Sequence, residues 1–192
     1  MQGDPVSATT DEAEPLHIRR IGGRGEADVV AAYEQHHDAI YGFLRRATRD
    51  ADVAEDLLQE TFARLLVSYR TGRPPDRLQP WLYRVASNLV TSRGRRLRTV
   101  THWLASQHRD DHLGGSASPE TSAINREWSS EVADALGTLP EESRTALLLA
   151  AQGFVGREIA DAIGRSEAAT RTLMCRARQQ MRREIECREV AG

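Results

Sequence analysis

Lysine is absent from the 192 residues: all 26 basic side chains are arginine. Guanidinium suits bidentate contacts to phosphate and to guanine, so any anion-binding surface here is built from forked donors rather than point charges. Aromatic residues make up only 5% of the chain. Cysteine is nearly missing too. Cys175 and Cys187 lie twelve apart on what reads as one helix. At ~1.5 Å per residue that is about 18 Å, too far for an intrachain disulfide. The longest apolar run, Ala146 to Ala151, is six residues, against roughly 20 for a membrane span. The N-terminus has no basic stretch followed by an apolar one, so no export signal is visible. A cytoplasmic protein with no membrane insertion is expected. The remaining composition, 40% hydrophobic and 28% charged, excludes disordered acidic, collagen-like and mucin-like chains and fits one medium domain or two small ones.

The net charge is −2, which by itself argues against a nucleic-acid partner. Its distribution argues the other way. Residues 50–60 hold five acids and no base, residues 81–100 five arginines and no acid, and residues 165–183 six arginines against Glu167 alone. Two anion-binding surfaces and one surface for a basic partner are implied.

Helical spacing organises the chain. Residues 1–25 lack an apolar period and read as a flexible tail. From Ala27, apolar residues recur at three and four through Leu44. A second helix is expected to open on Asp52 as its cap, with Glu55 reaching back, and to end at Thr71-Gly72-Arg73-Pro74-Pro75. A third runs from about Leu78 to Leu97. Residues 101–125 gather Gly114-Gly115-Ser116-Ala117-Ser118-Pro119 and read as an interdomain linker. Helical spacing resumes over 126–187 and leaves 188–192 as a short tail. No strand pattern appears. The fold class expected is all-α, two small helical domains (26–100 and 126–187) joined by a flexible tether.

Three of these segments carry chemistry. Glu158-Ile159-Ala160-Asp161-Ala162-Ile163-Gly164-Arg165-Ser166 before a long helix is a helix-turn-helix pattern, with Gly for the left-handed turn and Ser capping the second helix. That second helix would offer Thr170, Arg171 and Leu173 or Met174 to a groove, and Arg176 and Arg178 to phosphates. Asp52, Glu55, Asp56, Gln59 and Glu60 share one face of their helix and suit a docking surface for a basic partner. Trp81, Tyr83, Arg84, Asn88, Arg93, Arg95 and Arg96 combine stacking rings, an amide and cations, as single-stranded nucleic acid requires.

Together the blocks ADVAEDLLQETFARLL (51–66), PWLYRVASNLVTSRGRR (80–96), LPEESRTALLLAAQGF (139–154) and GREIADAIGRSEAATRTLMCRARQQM (156–181) resemble bacterial RNA polymerase sigma factors of the extracytoplasmic function group. The resemblance spans residues 27 to about 186. It implies that the first domain is sigma region 2, docking on the β′ clamp helices of core polymerase through Asp52, Glu55, Asp56, Gln59 and Glu60. The next helix and the Arg70–Pro80 loop before it would read the minus-10 element on the melted strand, with Asn88 near a flipped base. The second domain would be sigma region 4. It would bind the β flap through apolar helices that include Leu147 and Leu148, and read the minus-35 duplex through Ser166, Thr170, Arg171, Met174, Cys175, Arg176 and Arg178. An anti-sigma factor is a further candidate partner. Two departures stand out: Arg165 and Thr170 occupy positions where the family usually places apolar residues, and Leu173 one where arginine is common.

The competing reading is a stand-alone helix-turn-helix regulator. It explains the second half equally well and leaves the acidic face and the aromatic-arginine helix without a role. An enzyme is not expected, since the chain holds no Gly-rich phosphate loop, nucleophile elbow or cysteine cluster. No cofactor or metal is expected either: His108 and His112 are four apart but have no third ligand.

Overall fold

A computed structural model describes residues 24–105 and 130–191, so most of the expected N-terminal tail, most of the linker and the pair His108 and His112 lie outside the described residues. Seven helices account for what is described: α1 (Arg24–Thr48), α2 (Ala51–Arg70), α3 (Leu78–Ala105), α4 (Ser130–Gly137), α5 (Glu141–Ala151), α6 (Gly156–Ile163) and α7 (Glu167–Ala191). Among the described residues there is no strand, as the three-and-four spacing predicts.

The corner between α1 and α2 corrects one expectation. Arg49 takes a left-handed φ of 62°, and Asp50, not Asp52, then caps α2 by accepting the Val53 amide at 3.0 Å. The Thr48 hydroxyl, which accepts the Asp50 amide at 3.3 Å, fixes that corner. Asp52 falls in the first turn, where its charge meets the positive end of the helix dipole. The far end of α2 stops as expected: Gly72 is left-handed at φ 69°, the Arg73 amide returns to the Ser68 carbonyl at 2.9 Å, and two prolines follow.

Two helices run further than their apolar spacing predicts. α3 continues to Ala105, beyond Leu97 and into the span read as linker. α7 continues to Ala191, through the residues read as a tail.

Ile40, Phe43, Leu44 and Ala47 of α1 pack on Leu58, Phe62 and Leu65 of α2 and on Leu82, Ala86 and Val90 of α3, all buried. Leu136, Leu139, Ala146, Leu149, Ile159, Ile163, Met174 and Ala177 form the corresponding core of α4–α7. The two cores are continuous. α1 and α3 lie against α5, and α3 also lies against α6. Two polar contacts tie the halves: Arg49 donates to the Gly137 carbonyl at 2.7 Å, and Arg95 to the carbonyls of Ile163 and Gly164 at 2.7 and 3.1 Å.

Candidate functional site

On α2 the period of the helix separates two faces. Ala54, Leu58, Phe62 and Leu65 turn inward, while Asp52, Asp56, Gln59 and Glu60 are exposed and Glu55 is half-buried. Gln59 donates to the Glu55 carboxylate at 3.4 Å. The block is less purely acidic than the interval 50–60 suggests, because Arg64, one turn on, donates to Glu60 at 2.8 Å. No described side chain pairs with Asp52 or Asp56. Their field therefore points outward uncompensated.

On α3 the structure divides the expected set. Arg84, Arg95 and Arg96 are exposed, and Trp81, Asn88 and Arg93 half-buried. Tyr83 is not an available stacking platform. It is buried edge-to-face between Phe43 at 5.3 Å and Phe154 at 5.9 Å, and burial raises its hydroxyl pKa despite the nearby Arg46. Tyr83 lies beside Leu82 and one turn before Ala86, so the helical period carries it into the core. Trp81 and Arg84 line a cavity of about 390 Å³ that Phe154, Glu158 and Asp161 close from the other half.

The helix-turn-helix forms as the sequence predicted. Glu158 accepts the Val155 amide at 3.0 Å at the start of α6. Gly164 is left-handed at φ 65°, the Arg165 amide returns to Ala160 at 2.9 Å, and Ser166 caps α7 through the Ala169 amide at 3.3 Å. Arg171, Cys175, Arg176 and Arg178 are exposed. Thr170 and Met174 are not: they turn inward with Ala177, and the buried Thr170 hydroxyl has no hydrogen-bond partner. Both were expected to face a groove. The spacing 170, 174, 177 is the inner stripe of α7, and Thr172, exposed beside Arg171 and Arg176, is the residue that reasoning missed. The same helical period would have found it. On α5, Leu148 is also core, at 3% exposure, which leaves only Leu147 partly accessible of the expected apolar pair.

Arg165 resolves one of the departures. Its guanidinium grips the carboxylate of Glu142 with two bonds, at 2.5 and 2.7 Å. Glu142 is buried on α5. The bond and the charge of Glu142 hold Arg165 above its ordinary pKa. A charged clasp thus stands where apolar packing would otherwise join the turn to α5.

The family described as Sigma-70 region 2 matches residues 32–100, within α1–α3, and Sigma-70 region 4 matches residues 129–181, which cover α4 to most of α7. The RNA polymerase sigma factor CarQ of Myxococcus xanthus is 31% identical over 78% of this chain and 84% of its own length. The ECF RNA polymerase sigma factor SigE of Mycolicibacterium smegmatis is 30% identical over 88% of this chain and 67% of its own. This chain belongs to the extracytoplasmic function (ECF) sigma factors. SigX of Bacillus subtilis, another ECF sigma factor, is 28% identical over 80% of this chain and 81% of itself. The fold is shared with the sigma factor RpoE of Bartonella quintana, solved in complex with the anti-sigma factor NepR. That match has a TM-score of 0.55 at 19% identity and covers 84% of this chain and 96% of that one. An ECF sigma factor is a promoter-directing transcription initiation factor and belongs to a family without enzymes. The stand-alone regulator reading accounts for region 4 and leaves the region 2 match without explanation. Among the described residues no group of three His, Cys, Asp or Glu could hold a metal, and no helix is long and apolar enough to cross a membrane.

Proposed function

We propose that this ECF sigma factor divides its task among three surfaces. The outward face of α2, Asp52, Glu55, Asp56, Gln59 and Glu60, docks on the β′ clamp helices of core polymerase, and Leu147 contributes to contact with the β flap. Trp81, Arg84, Asn88, Arg93, Arg95 and Arg96 on α3 hold the melted minus-10 strand. Ser166, Arg171, Thr172, Cys175, Arg176 and Arg178 on α7 read the minus-35 duplex. The observation that carries this reading is the segregation of charge: Asp52 and Asp56 exposed without an ion-pair partner among the described residues on α2, with exposed arginines on α3 and α7.

The energetics require the docking face. Opening about ten base pairs costs on the order of 14 kcal/mol at ~1.4 per step, whereas stacking a base returns only ~1–3 kcal/mol. Region 2 alone cannot hold a bubble open, so its strand-holding helix must work from an anchor on a larger machine. The likeness to a sigma factor crystallised with NepR supports an anti-sigma partner as well.

Mixing purified chain with core polymerase and genomic DNA, then sequencing the transcripts, tests the reading. Discrete start sites preceded by shared minus-35 and minus-10 sequences are expected. Palindromic duplex binding without polymerase, and no start sites with it, would refute it.

A further inference from the structure

The outermost line of α7, the second helix of the helix-turn-helix, carries no charge over its first turns. Thr170, Met174 and Ala177 face the core of region 4. At ~100° per residue, Ala168, Thr172 and Cys175 lie about 140–200° round the helix from Thr170. All three are exposed. Arg171 and Arg178 stand on one flank of this line and Arg176 on the other. Its first amide, Gln179, comes only a turn beyond Cys175.

Each base edge in the major groove asks for a different partner. Guanine and adenine are read best by forked groups, a guanidinium or an amide, and thymine by apolar contact with its 5-methyl group. The central line of α7 offers neither fork before Gln179. Ala168 presents a methyl alone, and Cys175 behaves as a small hydrophobe with a weak S–H donor. Thr172 decides the matter. Its hydroxyl donates to the Ala168 carbonyl at 3.1 Å, so its one hydrogen is committed to the helix. The N7 and O6 atoms of purines are acceptors, and Thr172 in this state has no proton to give them. Its methyl stays available. The nearest guanidinium, Arg171, is turned along the helix to Glu167 at 3.3 Å.

The apolar surface extends to one side of Thr172. With Ala169 and Leu173 it borders a cavity of about 410 Å³ whose wall Ser143, Arg165 and Arg176 complete. Leu173, at a position where arginine is common in the family, thus adds methyl groups beside Thr172 in place of a cation.

We infer that the minus-35 element of this sigma factor is recognised at its centre through a thymine 5-methyl group, seated against the Thr172 methyl and bordered by Ala168 and Cys175. The arginines on either flank hold phosphates or guanine edges. The inference rests on the minus-35 role proposed for α7 and specifies the base that this helix selects.

Holoenzyme assembled from core polymerase and the full chain is titrated with a linear duplex that carries the strongest start site found by transcript sequencing. Thymines of its minus-35 element, on both strands, are replaced one at a time by 2′-deoxyuridine. The exchange removes the methyl and leaves every hydrogen-bonding group of the base in place. At one thymine or more, uracil is expected to weaken binding about fourfold, the worth of one buried methyl. At that position Thr172→Ser, which deletes the protein's methyl and keeps the hydroxyl, should bring the thymine-to-uracil ratio to about one. Thr172→Val keeps the methyl, deletes the hydroxyl and should preserve the ratio. Thr172 is exposed, so neither change disturbs the core. Uracil tolerated at every position, an element without thymine on either strand, or a ratio that survives Thr172→Ser or is lost in Thr172→Val would each overturn methyl readout by Thr172. Any of these results obtained at discrete start sites leaves the promoter reading standing. Absence of start sites refutes that reading and the inference with it.

Discussion

Truncating Arg165 tests whether the clasp on Glu142 holds the helix-turn-helix to α5. Both oxygens of Glu142 are engaged by Arg165 and the carboxylate's side chain is only 8% exposed. Removing one partner of a buried pair costs about 3–5 kcal/mol because the other charge is left without compensation. Arg165 itself is 43% exposed, so water can take over part of its role, and a loss of about 2 kcal/mol for Arg165→Ala is the discounted expectation. In a chain of this size that lowers the melting temperature by about 4–8 °C. Replacing both residues with leucine removes the stranded charge and should restore stability to within about 1 kcal/mol of the parent. Urea unfolding followed by circular dichroism on Arg165→Leu, Glu142→Leu and the double leucine variant gives the coupling energy directly. pH is no substitute for mutation. The folded pKa of Arg165 is raised, so its contribution is fully present below the already high unfolded value and does not change across the neutral range. A single variant within about 0.5 kcal/mol of the parent, the ordinary range of surface substitutions, or a double variant no better than Arg165→Ala, would refute the reasoning.

Reversing the charge of Asp52 and Asp56 together should abolish binding to core polymerase, read by co-elution, while the helical circular dichroism signal is kept; unchanged affinity would remove α2 from the docking role. Asn88→Ala should weaken transcription at one base of the minus-10 element, and a uniform loss across promoter variants would count against base readout. Arg171→Ala should alter minus-35 preference, whereas Arg178→Ala, if its contact is phosphate, should lower affinity evenly and reduce the salt slope by about one. Arg144→Met should raise the urea midpoint, since an apolar side chain of similar length strands no buried donors.

Residue type and residue phase were not equally legible. The charge blocks, the Gly164 turn and the Ser166 cap are local chemistry, and they stand in the structure where the sequence put them. Tyr83, Leu148, Thr170 and Met174 have the chemistry of surface contacts and are core. In each case a more accessible neighbour, Arg84, Leu147, Arg171 or Cys175, is one position away, a rotation of about 100° around the helix at ~3.6 residues per turn. Thr170 misleads most, since a hydroxyl signals a surface and here is buried without a partner. The exact cap of α2 was missed for a related reason. Asp50 and Asp52 are chemically equivalent candidates, and only the left-handed turn at Arg49 selects between them.

The contact between the two halves had no local signature at all. Arg95 reads as one more cation on a basic helix, and only its bonds to carbonyls about seventy residues away show that in the free chain it serves the corner of region 4. Phe154 reads as the end of an apolar helix, yet its ring meets Tyr83 of the other half edge-on at 5.9 Å. Long-range pairings of this kind leave no period, and their partners are ordinary residues on either side of a linker.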